Sequence, residues 1–271
     1  MIAKVLIDNI TKNDLICEWG LSFYIEYNGH KILLDTGASG NFAENAKQMG
    51  IHLDEIEYGV LSHAHYDHAD GMPTFFEENK TAKFYLRKGA GENCYGKKNF
   101  FMYKYNGIQE GILGNYAERI EYVEGDYKLL EGVYLIPHKV QGLEAIAKKA
   151  SLFVKENGKM FPDDFAHEHS LVFDTPKGLV VFNSCSHGGV DNIITEVLAT
   201  FPEKEICAYI GGLHLYKATE EDVRALAKRT KETGITKIIT GHCTGDEAFA
   251  ILKEELDDII EQMYTGMEIE L

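Results

Sequence analysis

Basic residues are in short supply in this chain: 27 Lys and Arg stand against 43 Asp and Glu, a formal net charge of −16. A nucleic-acid backbone calls for Lys/Arg stripes, so nucleic acid is disfavoured as a partner. Long apolar runs are missing too. None approaches the roughly 20 residues of a membrane helix, and no membrane association is expected. Cysteine is sparse: Cys17, Cys94, Cys185, Cys207 and Cys243 are odd in number and show no paired spacing, which suits a reducing compartment. Residues 1–8 read as a short charged strand, without the apolar stretch and cleavage site of an export signal, so the expected location is the cytoplasm. There is no G-x-S-x-G element and no glycine-rich phosphate loop, which argues against a serine nucleophile or P-loop chemistry. No Pro/Ser-rich or low-complexity tract divides the chain. Its 271 residues, 45% of them hydrophobic, can bury a large core, and a single domain over 1–271 is expected.

What the chain does have is concentrated. Directly after the apolar stretch 56–61 comes Ser62-His63-Ala64-His65-Tyr66-Asp67-His68-Ala69-Asp70-Gly71, the pattern H-x-H-x-D-H. Imidazole nitrogens and a carboxylate are donors for zinc, iron or manganese, and an open coordination position makes such an ion a Lewis acid. At a strand end, residues two apart point the same way, so His63 and His65 can grip one ion together. The chain must then turn, bringing Asp67 and His68 round from another side towards a second ion. The competing reading, a solvated His-rich loop, does not account for the spacing.

The surrounding elements can be read coarsely. Runs 23–27 and 31–34 flank Asn28-Gly29, a dipeptide suited to a tight hairpin turn. A helix is expected over 41–49, closed by Gly50, then a strand over 58–62 feeding the His motif. Residues 72–79 read as a helix opening at Pro73, and 83–86 as a strand. From Lys88 to about Glu121 the chain reads as a long irregular insertion rich in aromatics: Tyr95, Phe100, Phe101, Tyr103, Tyr105 and Tyr116. Such a loop can cover a substrate, bury its own aromatics or contact a second copy of the chain. Residues 143–154 form a connector with helical character.

The second half repeats one theme, an apolar strand followed by a histidine. Runs 170–174 and 179–183 form a hairpin across Thr175-Pro176-Lys177-Gly178 and lead into Ser184-Cys185-Ser186-His187-Gly188-Gly189, followed by a helix over 190–199. Strand Ile206–Ile210 precedes Gly211-Gly212-Leu213-His214-Leu215. Thr219 is placed as an N-cap with Asp222 three residues on, opening a helix to about Glu232. A strand over 237–240 ends in Gly241-His242-Cys243-Thr244-Gly245, before a helix over 246–256. Polar groups at strand ends are where open α/β sheets place their sites.

The His motif resembles the signature of the metallo-β-lactamase superfamily, and "LLDTG" at 33–37, about thirty residues upstream, matches another of its elements. "SCSHGG", "GGLHL" and "TGHCTG", in that order, are similar to one branch, the 7,8-dihydropterin-6-methyl-4-(ribofuranosyl)aminobenzene-phosphate synthase-like proteins, also called dihydropteroate-synthase-related metal-dependent hydrolases. The resemblance implies an α/β fold, the four-layer αββα sandwich, with two divalent metal ions, zinc first and manganese or iron as alternatives. It implies His63, His65 and His187 at one ion, Asp67, His68 and His242 at the other, and Asp35 as a brace behind the ligands. Many members carry a bridging Asp after the second-half hairpin. Here Ser184-Cys185 stand there, so the expectation is that the bridging carboxylate is absent or replaced by Cys185, Glu168, His169 or a water, and His167 and His169 are reserve ligands. His30, His52 and His138 are read as structural.

The expected function is hydrolysis of a small phosphoester, lactone or thioester by metal-activated water, at a mono- or binuclear site. Asp67 orients the water and takes its proton, and His214 hydrogen-bonds an oxyanion or leaving group. The alternative is a pterin-linked transferase of the kind the branch name implies.

Overall fold

The structure is a computed structural model that describes residues 1–99 and 101–271. Two seven-stranded sheets form its centre. In the first, Ile2–Ile7 lies between Glu268–Glu270 and Ser22–Tyr27, and His30–Leu34, Tyr58–Val60, Lys83–Arg87 and Ile120–Val123 follow outward. In the second the order is Ile260–Gln262, Ile238–Thr240, Ile206–Ile210, Gly178–Phe182, His169–Thr175, Val133–Pro137 and Tyr127–Leu130.

Strand periodicity explains how they stack. Phe23, Ile25, Ile32 and Leu34 point towards the second sheet and pack with Phe173, Val180, Phe182 and Ile210. Tyr24 and Leu33, one residue out of step, point the other way, into a cluster with Phe42, Ala46, Phe75 and Phe84. That cluster seats helices Asn41–Gln48 and Met72–Glu78 on the outer face. On the opposite side, Val181 and Tyr209 pack against Val190, Ile194, Val223, Leu226 and Leu252. These come from helices Val190–Thr200, Glu220–Glu232 and Asp246–Leu256. Three apolar layers between four layers of structure make the αββα sandwich that the resemblance implied.

Local chemistry supports these elements. Asn28 and Gly29 have φ of 50° and 83°, as the two-residue hairpin requires. Thr219 caps its helix by accepting a hydrogen bond from the Asp222 amide. His30–Leu34, Tyr58–Val60 and Lys83–Arg87 run parallel, as do Gly178–Phe182, Ile206–Ile210, Ile238–Thr240 and Ile260–Gln262. The segments leaving Leu34, Val60, Phe182, Ile210 and Thr240 meet at one edge of the sandwich.

The insertion at 88–121 is not irregular. Cys94–Asn99 and Met102–Tyr105 pair as a hairpin in a four-stranded sheet with Leu152–Glu156 and Lys159–Pro162. A one-turn helix, Ile112–Asn115, follows. Phe100 lies outside the described residues. Tyr95 packs edge-on against Tyr105, and Tyr103 against Phe153, so these aromatics hold the small sheet together. The strand Leu152–Glu156 that completes the hairpin lies far along the chain, which is why local pattern does not reveal it. The connector at 143–154 likewise divides into helix Leu143–Ala150 and the start of that strand, with Ser151 at φ 61° making the joint.

Candidate metal centre

His63, His65, His68, His187 and His242 converge at the shared edge. The rings of His63, His65 and His187 are mutually 4.7–4.8 Å apart, centroid to centroid, and His68 is 4.1 Å from His63. All are buried, and the Nε2 atoms of His63, His65 and His187 have no hydrogen-bond partner. A buried polar atom left unpaired costs roughly 1–3 kcal/mol. Three of them, in rings packed against one another, are donors that a cation would satisfy; His63 and His187 share metal-binding distance with Cys185, while His65 shares it with Cys94, Asp163 and His167.

The outer edges of the rings explain why Nε2 is the inward donor. Asp35 accepts from the Ser62 amide through Oδ1 at 2.7 Å and from the Ser62 hydroxyl through Oδ2 at 2.7 Å. That hydroxyl, its proton committed, accepts from His63 Nδ1 at 2.8 Å, and Asp35 Oδ2 also accepts from His68 Nδ1 at 2.8 Å. Asn9 Oδ1 accepts from His242 Nδ1 at 3.1 Å, and Glu168 Oε2 from His187 Nδ1. With Nδ1 donating, each ring turns an Nε2 lone pair inward, the form that binds metal. The Nε2 atoms of His68 and His242 are 3.2 Å apart, an approach of two lone pairs that a cation between them would relieve. Asp67 Oδ2 lies 3.5 Å from His242 Nε2.

Burial first, then mutual repulsion, holds His63, His65 and His242 well below the ordinary imidazole pKa. Burial also opposes a charge on His68, but Asp35 outweighs it and raises that ring. Burial disfavours the charge on Glu168 as well, but the His187 and His138 rings hydrogen-bonded to it outweigh that and hold its pKa well below the ordinary carboxyl value.

Cys185 holds the place expected for a bridging ligand. Its Sγ is 3.2 Å from His68 Nε2 and within metal-sharing distance of two sets, His63 with His187 and His68 with His242. Glu168, another expected replacement, stands on the Nδ1 side of His187, turned away from the cluster. Cys243 Sγ lies 3.3 Å from Cys185 Sγ and accepts from the His214 amide at 3.2 Å. Gly211 and Gly212 permit this crowding: a Cβ on the first would meet Asn183 O at 1.9 Å, and on the second Cys243 Sγ at 2.5 Å. His214 is 4.5 Å from the His187 ring, with a buried, unpartnered Nδ1.

Of the reserve ligands, His167 lies within metal-sharing distance of His65, Cys94 and Asp163. His167 accepts from the Ala64 amide at Nδ1 and donates to Asp163 from Nε2, so it braces the His motif from behind. His169 opens its strand opposite Pro137. Of the rings read as structural, His30 pairs with Glu57, while His138 is bracketed by Glu168 and Glu196. Sequence reasoning missed Asn9, Trp19 and Tyr216. Trp19 lies 5.1 Å from Tyr216 and 5.4 Å from His242, both Trp19 and Tyr216 about 40% exposed. Trp19 also lines a cavity of about 270 Å³ beside His242. The single Trp of the sequence was the available signal, though nothing local ties it to His242.

The sequence pattern of the metallo-beta-lactamase superfamily matches residues 20–147, which include the His motif. The chain is 30% identical over 267 residues to the 7,8-dihydropterin-6-methyl-4-(beta-D-ribofuranosyl)-aminobenzene-5'-phosphate synthase of Methanocaldococcus jannaschii, spanning 91% of this chain and 88% of that one. Among solved structures, Tm1679, described as a metal-dependent hydrolase of the beta-lactamase superfamily, matches with TM-score 0.86 at 30% identity, over 100% of this chain and 99% of that one. Zinc-bound PqqB from Methylobacterium extorquens matches with TM-score 0.58 at 10% identity over the full length of both chains, a likeness of fold alone. On sequence, fold and full-length coverage together, the chain belongs to the metallo-beta-lactamase superfamily.

Proposed function

We propose that this protein is a metal-dependent hydrolase of a small phosphoester, lactone or thioester. The packing of the His63, His65 and His187 rings against one another, each with an unpartnered Nε2, carries the reading. Those three would hold one ion, and Asp67, His68, His242 and Cys185 a second. Zinc suits a mixed nitrogen, oxygen and sulfur donor set, with manganese or iron as alternatives. Divalent ions, when bound, supply Lewis acidity that makes water more acidic and polarises a substrate oxygen.

The chain's own groups do the rest. Asp67, at the start of the short helix Tyr66–Ala69, orients the attacking water and accepts its proton. His214 offers its Nδ1 to the developing oxyanion or leaving group. Trp19 and Tyr216 give a planar substrate group a surface beside His242. The backbone after the small-sheet hairpin is fastened to the His motif, with the Tyr66 amide donating to Asn106 O and Gln109 N to Asp70 Oδ1. The small sheet therefore stands beside the site as a side wall. The net charge of −16 supports a small-molecule substrate over nucleic acid, and five free cysteines fit a cytoplasmic setting.

A second reading, a pterin-linked transferase, is favoured by the name of the Methanocaldococcus jannaschii relative and by the Trp19–Tyr216 pair, on which a heteroaromatic ring can rest. One experiment separates the two. Metal content by elemental analysis and bis-nitrophenyl phosphate turnover are measured for wild type and His187→Ala. Metal and turnover lost together in the variant support the hydrolase. Metal without turnover of simple esters, together with tight binding of a reduced pterin, supports the transferase.

A further inference from the structure

A second cavity, of about 540 Å³, lies behind the metal cluster. Its wall includes Arg87, His138, Gln141, Asp164, Phe165 and Glu168, and none of the metal-facing side chains. Phe165 and Glu168 separate the two spaces. The Phe165 ring stacks on His187 at 5.1 Å and 20°, and Glu168 accepts from His187 Nδ1, the edge opposite Nε2.

Arg87 is the unusual member of this wall. It closes strand Lys83–Arg87 and is only 9% exposed. Its Nη1 donates to Gly125 O at 2.8 Å, but Nε has no partner. Among the described residues no carboxylate lies within ion-pair distance of it; Glu124 and Asp126 act on it only from further away. Burial pulls its pKa below the ordinary guanidinium value, as it must for a cation with no partner at contact. A buried guanidinium with unused donors is costly unless an anion meets it.

The acids nearby do not meet that need. Glu168 is committed to His138 and His187, and Glu196 to His138 and the amides of Lys139 and Val140. Asp164 and Glu144 are exposed at the rim, where solvent screens them, and Asp164 accepts from the Ala166 amide. The inner wall therefore carries one unmatched positive charge, on a residue whose planar fork suits a phosphate.

We infer that this cavity is an anion site, separate from the metal centre, in which Arg87 takes a phosphate group, free or at the end of a small monoester. It requires no metal, so it stands whether or not the proposed hydrolysis does.

The test is calorimetric titration of inorganic phosphate, and of glycerol 3-phosphate as a simple monoester, into chelator-treated protein. Saturable binding near one per chain is expected, weakened about tenfold or more by Arg87→Gln. Arg87→Lys, which keeps the charge but loses the fork, weakens it less. Gln141→Glu adds a negative charge at the exposed rim and weakens it severalfold without touching Arg87. Thermal melting checks that each variant is folded, and if Arg87→Gln is not, the other two decide. Tighter binding of the monoester assigns the site to a larger molecule's phosphate tail, and equal binding to free phosphate. No saturable binding to chelator-treated wild type, or unchanged affinity in the folded variants, overturns the inference.

Discussion

His138 is bracketed by two buried carboxylates, its Nε2 2.9 Å from Glu168 Oε1 and its Nδ1 3.0 Å from Glu196 Oε2. Burial opposes its charge, but the two hydrogen-bonded acids overcome that and push its pKa up to about 9. An imidazole in the unfolded chain titrates near 6.5. The interval between these values, at roughly 1.4 kcal/mol per pH unit, is worth about 3 kcal/mol of folding stability. Because the folded value is the higher one, that stability is fully present below about pH 6.5. It declines as pH rises and is gone above about pH 9. His138→Gln removes the charge and leaves two carboxylates facing each other, a change of similar size. The assay is urea unfolding of chelator-treated wild type and variant at pH 6, 7.5 and 9.5, followed by the fluorescence of Trp19, the one tryptophan. The gap between the proteins should be about 3 kcal/mol at pH 6 and shrink to under about 1 kcal/mol at pH 9.5. A gap of equal size at both ends would refute the reasoning and make His138 a neutral packing group.

Glu168→Gln keeps the shape beside His187 Nδ1 but removes the charge, so metal affinity in competition with a chromogenic chelator should fall about 10- to 100-fold; unchanged affinity would reduce Glu168 to a spacer. Cobalt-loaded wild type should show thiolate-to-cobalt absorption in the near ultraviolet, and Cys185→Ser should lose it while keeping the weaker visible bands. Persistence of the ultraviolet feature would transfer the ligand role to Cys243. Asp67→Ala should abolish turnover and lower metal content, and full activity would exclude the two-ion assignment. His214→Ala should keep its metal and lose turnover; metal loss would move His214 into the ligand set.

The clustering of the candidate ligands was legible because each group follows an apolar strand, and parallel strands bring their ends together whatever the intervening chain does. Strand Tyr58–Val60 delivers the His motif, Gly178–Phe182 delivers Cys185 and His187, and Ile238–Thr240 delivers His242. The braces were less legible, because their partners are set by packing across the molecule. Asn9 reaches His242 over 233 positions of sequence, and nothing around Asn9 announces it. Glu168 is one of the options the sequence leaves open for the bridging place, and sequence cannot say that it meets the Nδ1 edge of His187 instead. The small sheet was lost for the related reason that its central pairing, Cys94 with Val154, is non-local.

Backbone strain separates what sequence rules reach from what they do not. Asp35, Ser186, His214 and His242 have φ of 60°, 53°, 49° and 48°, each within four residues of the end of a parallel strand. Such a conformation in a residue with a side chain costs roughly 1–3 kcal/mol and persists only where the surroundings hold it. Turn propensity alone would put glycine at all four, and the chain does use glycine close to two of them, at Gly241 beside His242 and at Gly212 two residues before His214. Glycine cannot replace the carboxylate that orients Ser62 and His68, or the imidazole that turns Nε2 towards Cys185 and Asp67. Ser186 shows the same logic without a metal-facing atom, its hydroxyl donating to Gly212 O and meeting Tyr209 Oη to tie two strand ends together. Each of these residues therefore takes the turn itself, and the sandwich core beneath bears the strain.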